Sequence, residues 1–341
     1  MTSVLPAKPD IAQLRRRAKE LLRDAKSGDL PAVQRLAHVA PDATVATLSD
    51  AHTVLAREHG FASWPKFRSA VAELSQAHTG FGAAQPVFRN KTVGHALFTA
   101  NVFIEGAMNA GWEPGPLPDS LVFTFHGIYA HLLANDSRFE RNMRLAPSNS
   151  TMFTTIADCP RVGVTCLSPG ATAMVGQVEN QIALGGANRF VIVGTAGSIR
   201  SDVRPGDVVV VTSAVRDDGI SQHYLPPDTY VDADVALVGA LASALRGQGV
   251  GPTLGSTWTV PTPYRSTAEE VEQLAADGVA VVECEVASLL AVAEAYGVAA
   301  GACLSVISSL VEENRAVTLI PADPAAVLEA ALAALGVPPR A

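Results

Sequence analysis

The sequence predicts an α/β chain, with a mostly parallel or mixed central sheet flanked by helices and a small all-α domain in front of it. Three observations lead there. From about residue 120 onward, apolar runs of strand length alternate with helical stretches, the pattern of a largely parallel sheet. Residues 10 to 78 instead repeat apolar side chains at helical spacing. Between the two, Gly80-Phe81-Gly82-Ala83-Ala84-Gln85-Pro86 has the composition of a linker. The boundaries that follow are a helical domain over 1–79, a linker over 80–86 and an α/β domain over 87–341.

In the first domain, Ile11, Leu14, Ala18, Leu21 and Leu22 form one face of a helix, with Arg15, Arg16, Arg17 and Lys19 largely on the others. Ser27-Gly28-Asp29 stops it, Leu30 to Leu36 restarts a short helix, and Ser49-Asp50 can cap the run Ala51 to His59. Gly60 to Lys66 is a turn whose Pro65 suits the first turn of a last helix through Leu74. The segment Arg57-Glu58-His59-Gly60-Phe61-Ala62-Ser63-Trp64-Pro65 resembles the end of small ankyrin-like helical modules. Its basic cluster reads either as a docking surface or as a solvated helix face.

Further on, Val87 to Gly111 has a mostly helical pattern, and Gly115 to Asp119 turns into a strand over Ser120 to Phe125, with His126 directly behind it. His126 suits either a ligand edge or a packed, hydrogen-bonded position. Arg161 to Leu167 is a second strand, and Ser168-Pro169-Gly170-Ala171-Thr172 turns into a helix over Met174 to Leu184. Strands are predicted at Phe190 to Val193, Val208 to Ala214, Thr253 to Thr259, Val279 to Glu283 and Gly301 to Ile307. Helices are predicted at Val235 to Leu245, Glu269 to Asp277, Ala287 to Tyr296 and Ala325 to Leu335.

The composition sets bounds on function. With 341 residues, 48% hydrophobic and 17% charged, the chain can bury one large core or two unequal ones. No apolar run reaches the roughly 20 residues that span a bilayer, and Met1 to Leu22 lacks a signal-peptide core; a cytoplasmic protein without membrane partners is expected. Cys159, Cys166, Cys284 and Cys303 lack zinc-ligand spacing, so reduced thiols and no metal are expected. A formal charge of −8 disfavours nucleic-acid partners.

The most informative segment is Val281-Val282-Glu283-Cys284-Glu285-Val286-Ala287-Ser288-Leu289-Leu290, where two carboxylates interrupt an apolar run. A buried carboxylate is costly unless a polar group meets it. Both acids fall at a strand-to-helix junction, where α/β folds place ligands, and they suit vicinal hydroxyls; a solvated N-cap pair is the plainer reading. The run resembles the V-E-M-E-A-A-A-L segment of the nucleoside phosphorylase superfamily, which contains purine nucleoside and uridine phosphorylases and related hydrolytic nucleosidases. Three more segments resemble it in order: Val193-Gly194-Thr195-Ala196-Gly197 with the turn Pro205-Gly206-Asp207, the loop Arg216-Asp217-Asp218-Gly219-Ile220-Ser221-Gln222-His223-Tyr224, and Thr257-Trp258-Thr259-Val260-Pro261-Thr262-Pro263-Tyr264-Arg265.

The resemblance implies an enzyme acting at the N-glycosidic bond of a nucleoside-like substrate, assembled as a homo-oligomer. It implies that Glu285 and Glu283, with Cys284 in the family's Met position, hold the ribose, and that His223 and Tyr224 reach its 5′ side. Thr195 would face the nucleophile, Trp258 and Thr259 the base, and Gly170 and Thr172 an anion or sugar hydroxyl. Two departures matter. Ile192 stands where the family's phosphate Arg commonly sits, and no G-D-P-x-R turn occurs around Leu121 to His131. Inorganic phosphate is therefore a candidate co-substrate rather than a firm one, and no other cofactor is expected. Ser309 lies in the Leu304 to Leu310 segment, which has serine where purine-specific members place an Asp; neutral Ser cannot act as a general acid near pH 7, so pyrimidine nucleosides are favoured. The alternatives are a phosphate-independent nucleosidase, and a diverged scaffold that binds a nucleoside-like ligand or runs a different biosynthetic reaction.

Overall fold

A computed structural model describes residues 11–40, 42, 44–64, 66–67, 71, 96–144, 147, 151–157, 160–311, 317 and 321–340. The chain divides into two compact units, Met1–Gly82 and Ala83–Ala341. The proposed linker at 80–86 lies outside the described residues.

In the first unit, α1 (Ile11–Lys26), α2 (Leu30–Ala37) and α3 (Leu48–Glu58) pack around Ala18, Leu21, Leu36, Val54 and Leu55. Asp29 caps α2, its carboxylate accepting from Ala32 N at 3.1 Å. The start of α3 differs from the sequence reading. Thr47, not Ser49, is its cap: Asp50 N donates to Thr47 Oγ1 while Asp50 Oδ2 accepts from Thr47 N. This reciprocal pair satisfies two otherwise orphaned donors and moves the helix start forward. Trp64 stacks on His52 with ring centroids 4.1 Å apart, and the last helix, through Leu74, lies largely outside the described residues.

The second unit begins with α4 (Ala100–Asn109), capped by Thr99. Within the mostly helical run expected from Val87 to Gly111, residues 96–99 are not helical, and 87–95 lie outside the described residues. Next come β1 (Ser120–Thr124), α5 (Gly127–Ala134), β2 (Phe139–Arg141), β3 (Thr151–Thr155), β4 (Val162–Cys166) and α6 (Ala171–Ala183). They are followed by β5 (Arg189–Ser198), β6 (Val208–Arg216), β7 (Tyr230–Asp232), α7 (Val235–Gly247), β8 (Thr253–Thr259) and α8 (Ala268–Ala276). The chain continues through β9 (Val281–Glu283), α9 (Val286–Tyr296), β10 (Ala299–Ser309) and α10 (Pro324–Ala334).

The ten strands among the described residues share one sheet. β5 pairs in turn with β10, β10 with β6, β6 with β8, β8 with β9, and β9 again with β5. Five strands therefore close on themselves, while β1, β4, β3 and β2 extend the sheet outward from β5. The pairings of β1 with β4 and β5, of β10 with β5 and of β8 with β6 and β9 are parallel; those of β10 with β6 and of β9 with β5 are antiparallel. The sheet is mixed.

Alternation along the strands separates two cores. Leu121, Phe123, Phe190 and Ile192 face α6 and α9, whereas Val122, Val191, Val193 and Cys303 face α5, α7 and α10. Strands covered on both sides read as continuous apolar runs, which is why they were legible in the sequence. Gly301 lets α7 approach closely: a Cβ there would stand 3.3 Å from Leu237 Cβ. Among the described residues, no helix is long and apolar enough to cross a membrane.

Candidate active site

The two glutamates meet different surroundings. Glu283 ends β9, in register with Thr259 of β8. Its Oε1 accepts from Thr257 Oγ1 at 3.2 Å and Thr259 Oγ1 at 2.5 Å, and its Oε2 from Glu285 N at 2.7 Å and Val286 N at 2.8 Å. Thr259 Oγ1 in turn accepts from Ala287 N at 2.9 Å. The first amides of α9, which no helix can satisfy for itself, are thus taken up by Glu283 and Thr259. The clamp occupies both oxygens of Glu283.

Glu285, one residue before α9, turns toward the sheet's other loop. Its Oε1 accepts from Gly170 N at 2.7 Å. Gly170 precedes α6 with a φ of 128° and open space where a side chain would stand, so an unhindered main chain meets the carboxylate. This glycine is needed because L side chains rarely adopt that φ. Both carboxyls are buried. Burial raises the pKa of each above the usual carboxylate range, and the charge of Glu285 pushes Glu283 further in the same direction. Cys284 between them is half-buried, and burial pushes its thiol up to about 12, with both glutamates adding to the effect.

The loop after β6 is wired by its own charges. Arg216, buried, donates to Ser221 Oγ, Ser221 O, Leu225 O and Pro226 O at 2.7–3.2 Å. Asp218 accepts from Ser221 N and Oγ at 3.0 and 2.6 Å and from Ser288 Oγ on α9. Asp217 accepts from Trp258 Nε1 at 3.1 Å, and burial raises its pKa. Loop 216–226 is thereby pinned to β8 and α9. Sequence reasoning took the Arg-Asp-Asp-Gly run for its likeness alone and missed these roles; three charges ahead of a small-residue turn were the available signal.

The remaining candidates divide by access. Trp258 is 1% exposed, a core aromatic with its indole N–H committed to Asp217. His223 is exposed on a 3-10 turn, Ser221–His223, and Tyr224 is half-buried beside Glu179, its pKa raised by burial first and by that carboxylate second. Thr172 is exposed in the first turn of α6, so the helix starts three residues before Met174. Thr195 is half-buried on β5 opposite Ser305. Ser309 is buried at the end of β10, opposite Ser198. Ile192 lies in the core under α6 and α9, 1% exposed. Arg200 is bound to Asp202 and Gly278 O, and Arg265 is exposed. Among the described residues, no cluster of His, Cys, Asp and Glu is arranged to hold a metal.

The site thus joins a five-strand closure to paired glutamates at a strand-to-helix junction of an α/β protein. The family model described as "Phosphorylase superfamily" matches residues 129–335, more than half of the chain; the chain belongs to that superfamily. Uridine phosphorylase of Salmonella typhimurium is 31% identical over 148 residues, which cover 39% of this chain and 58% of the relative. A DeoD-type purine nucleoside phosphorylase of Caldanaerobacter subterraneus is 30% identical over 152 residues, 44% of this chain and 66% of the relative. The match thus spans less than two thirds of either relative's length. The fold is similar to the crystal structure of purine nucleoside phosphorylase from Toxoplasma gondii in complex with immucillin-H, with a TM-score of 0.57, 19% identity, and coverage of 64% of this chain and 91% of that one.

Proposed function

We propose that the α/β unit cleaves the N-glycosidic bond of a nucleoside or nucleoside-like substrate, pyrimidine nucleosides being preferred. The observation that carries this reading is the contrast between the two acids. Glu283 is used up by the clamp, whereas Glu285 is held out toward Gly170 by one short hydrogen bond. A carboxylate so placed accepts from vicinal ribose hydroxyls, and its charge steadies the oxocarbenium-like sugar as the base departs. Thr195 offers a hydroxyl to the incoming oxygen. Ser309 in the purine acid's place favours a base that leaves without protonation by an Asp.

Water as the nucleophile is favoured by Ile192, a buried aliphatic residue at the sequence position where the resemblance expects the phosphate Arg, since a dianion without that guanidinium loses its bidentate partner. The test compares ribonucleosides with their 2′,3′-dideoxy analogues, following free base by chromatography. Release from ribonucleosides and none from the dideoxy analogues supports the reading. Equal release from both removes Glu285 from it, and no release from any removes the activity.

A further inference from the structure

We infer that His126 is a catalytic residue that holds the oxygen nucleophile through its Nε2–H; the inference rests on the cleavage reading above. Three observations place it. In the parallel pairing of β1 with β5, Val122 stands opposite Val191 and Thr124 opposite Val193. The ladder ends at Thr124 and Val193; carried on by two residues, its register would put His126 level with Thr195, at a strand spacing of about 4.8 Å. The ring of Phe125 does lie beside Gly194, the step between them, since a Cβ at Gly194 would stand 4.0 Å from Phe125 Cδ2. Period-two alternation also gives 122, 124 and 126 the same sheet face as 191, 193 and 195. His126 and Thr195 would thus stand together at the edge where β1 runs out, and Gly170, which Glu285 reaches, follows the parallel β4 at that same edge.

The second observation is the ring's hydrogen bond. His126 caps α5, with Nδ1 accepting from Ile128 N at 3.1 Å. An accepting Nδ1 carries no proton, so the neutral ring bears its proton on Nε2. The cap thus orients the imidazole and fixes its tautomer, and no described residue takes the Nε2–H. Third, the neighbourhood is open: His126 is half-exposed, Gly127 is exposed, and a Cβ at Gly127 would meet nothing within 4 Å.

In the step, the water oxygen bonds to C1′ and the C1′–N bond breaks with its electron pair going to the base. The water's proton ends on the base, giving free sugar and neutral base. His126 and Thr195 hold the water oxygen in line and are unchanged at the end.

The experiment uses the full chain with uridine, cytidine, inosine, adenosine and guanosine, and compares wild type with His126→Asn and His126→Ala. Asn keeps an N-cap acceptor, so the Asn variant should melt as wild type does, keep KM within about twofold and lose at least about tenfold in kcat. Added imidazole should restore part of the Ala variant's turnover. Wild-type kcat in the Asn variant, a change confined to KM, or a kcat loss matched by lost melting temperature without imidazole rescue would each reduce His126 to a cap or a binding group and overturn the inference. An active wild type with an unimpaired Asn variant sinks this inference alone; a wild type that releases no base sinks the cleavage reading with it.

Discussion

Replacing Glu283 by Ala should destabilise the fold by about 2–4 kcal/mol, and the structure supplies the arithmetic. The substitution leaves Glu285 N and Val286 N, donors to Glu283 Oε2 at 2.7 and 2.8 Å, without an acceptor at a buried helix start. Each orphaned buried donor costs about 1–3 kcal/mol, or about 2–6 kcal/mol together. The two hydroxyls add less, because Thr257 Oγ1 already has Val281 O within 3.3 Å as another acceptor. Against this, the variant no longer buries a carboxyl next to Glu285, which returns part of the loss. Glu283→Gln keeps a carbonyl oxygen for both amides and should cost about 1 kcal/mol or less. Urea unfolding followed by circular dichroism measures both. An Ala variant within about 0.5 kcal/mol of wild type would show that the clamp does not hold the junction.

Three further outcomes are expected. Burial raises both glutamates in the folded state, so their contribution to stability is complete below the unfolded value of about 4.3 and is lost as pH rises through the raised folded values; the melting-temperature gap between wild type and Glu283→Gln should therefore shrink from pH 5 to pH 8, and a constant gap contradicts it. Glu285→Gln should keep the melting temperature and lose at least about tenfold in ribonucleoside binding or turnover, because a charge-assisted hydrogen bond is worth about 1.5–3 kcal/mol; unchanged affinity would refute the role. A truncated chain beginning at Pro86 should stay soluble and release base as the full chain does, whereas its aggregation, with a single melting transition for the full chain, would mean that the two units share a core.

What the sequence made legible follows from which signals are local. The strands over 120–124, 162–166, 208–216 and 253–259 lie within the apolar runs or extend them by a residue or two, because burial on both faces leaves few polar interruptions. The short pieces β2, β3 and β7 passed unnoticed, since three to five residues carry little periodicity. Closure of the five strands depends on long-range pairing of β9 and β10 with β5 and β6, which no local pattern encodes. At the site, the junction of Glu283 and Glu285 was visible as charge in an apolar run. Their division of labour was not, because it depends on Thr257 and Thr259 arriving from another strand. Trp258 illustrates the same limit: residue type suggested a stacking surface, and Asp217 claims its only donor.

The central claim is tested most directly by the identity of the sugar released from the best-cleaved ribonucleoside, measured at zero and at about 10 mM inorganic phosphate, about tenfold above the upper end of ordinary Michaelis constants. With Ile192 in the core and His126 and Thr195 in the roles proposed for them, the account predicts free sugar in both cases at equal rates. A sugar 1-phosphate formed only when phosphate is present would contradict it, and would require a cation from elsewhere to serve the site.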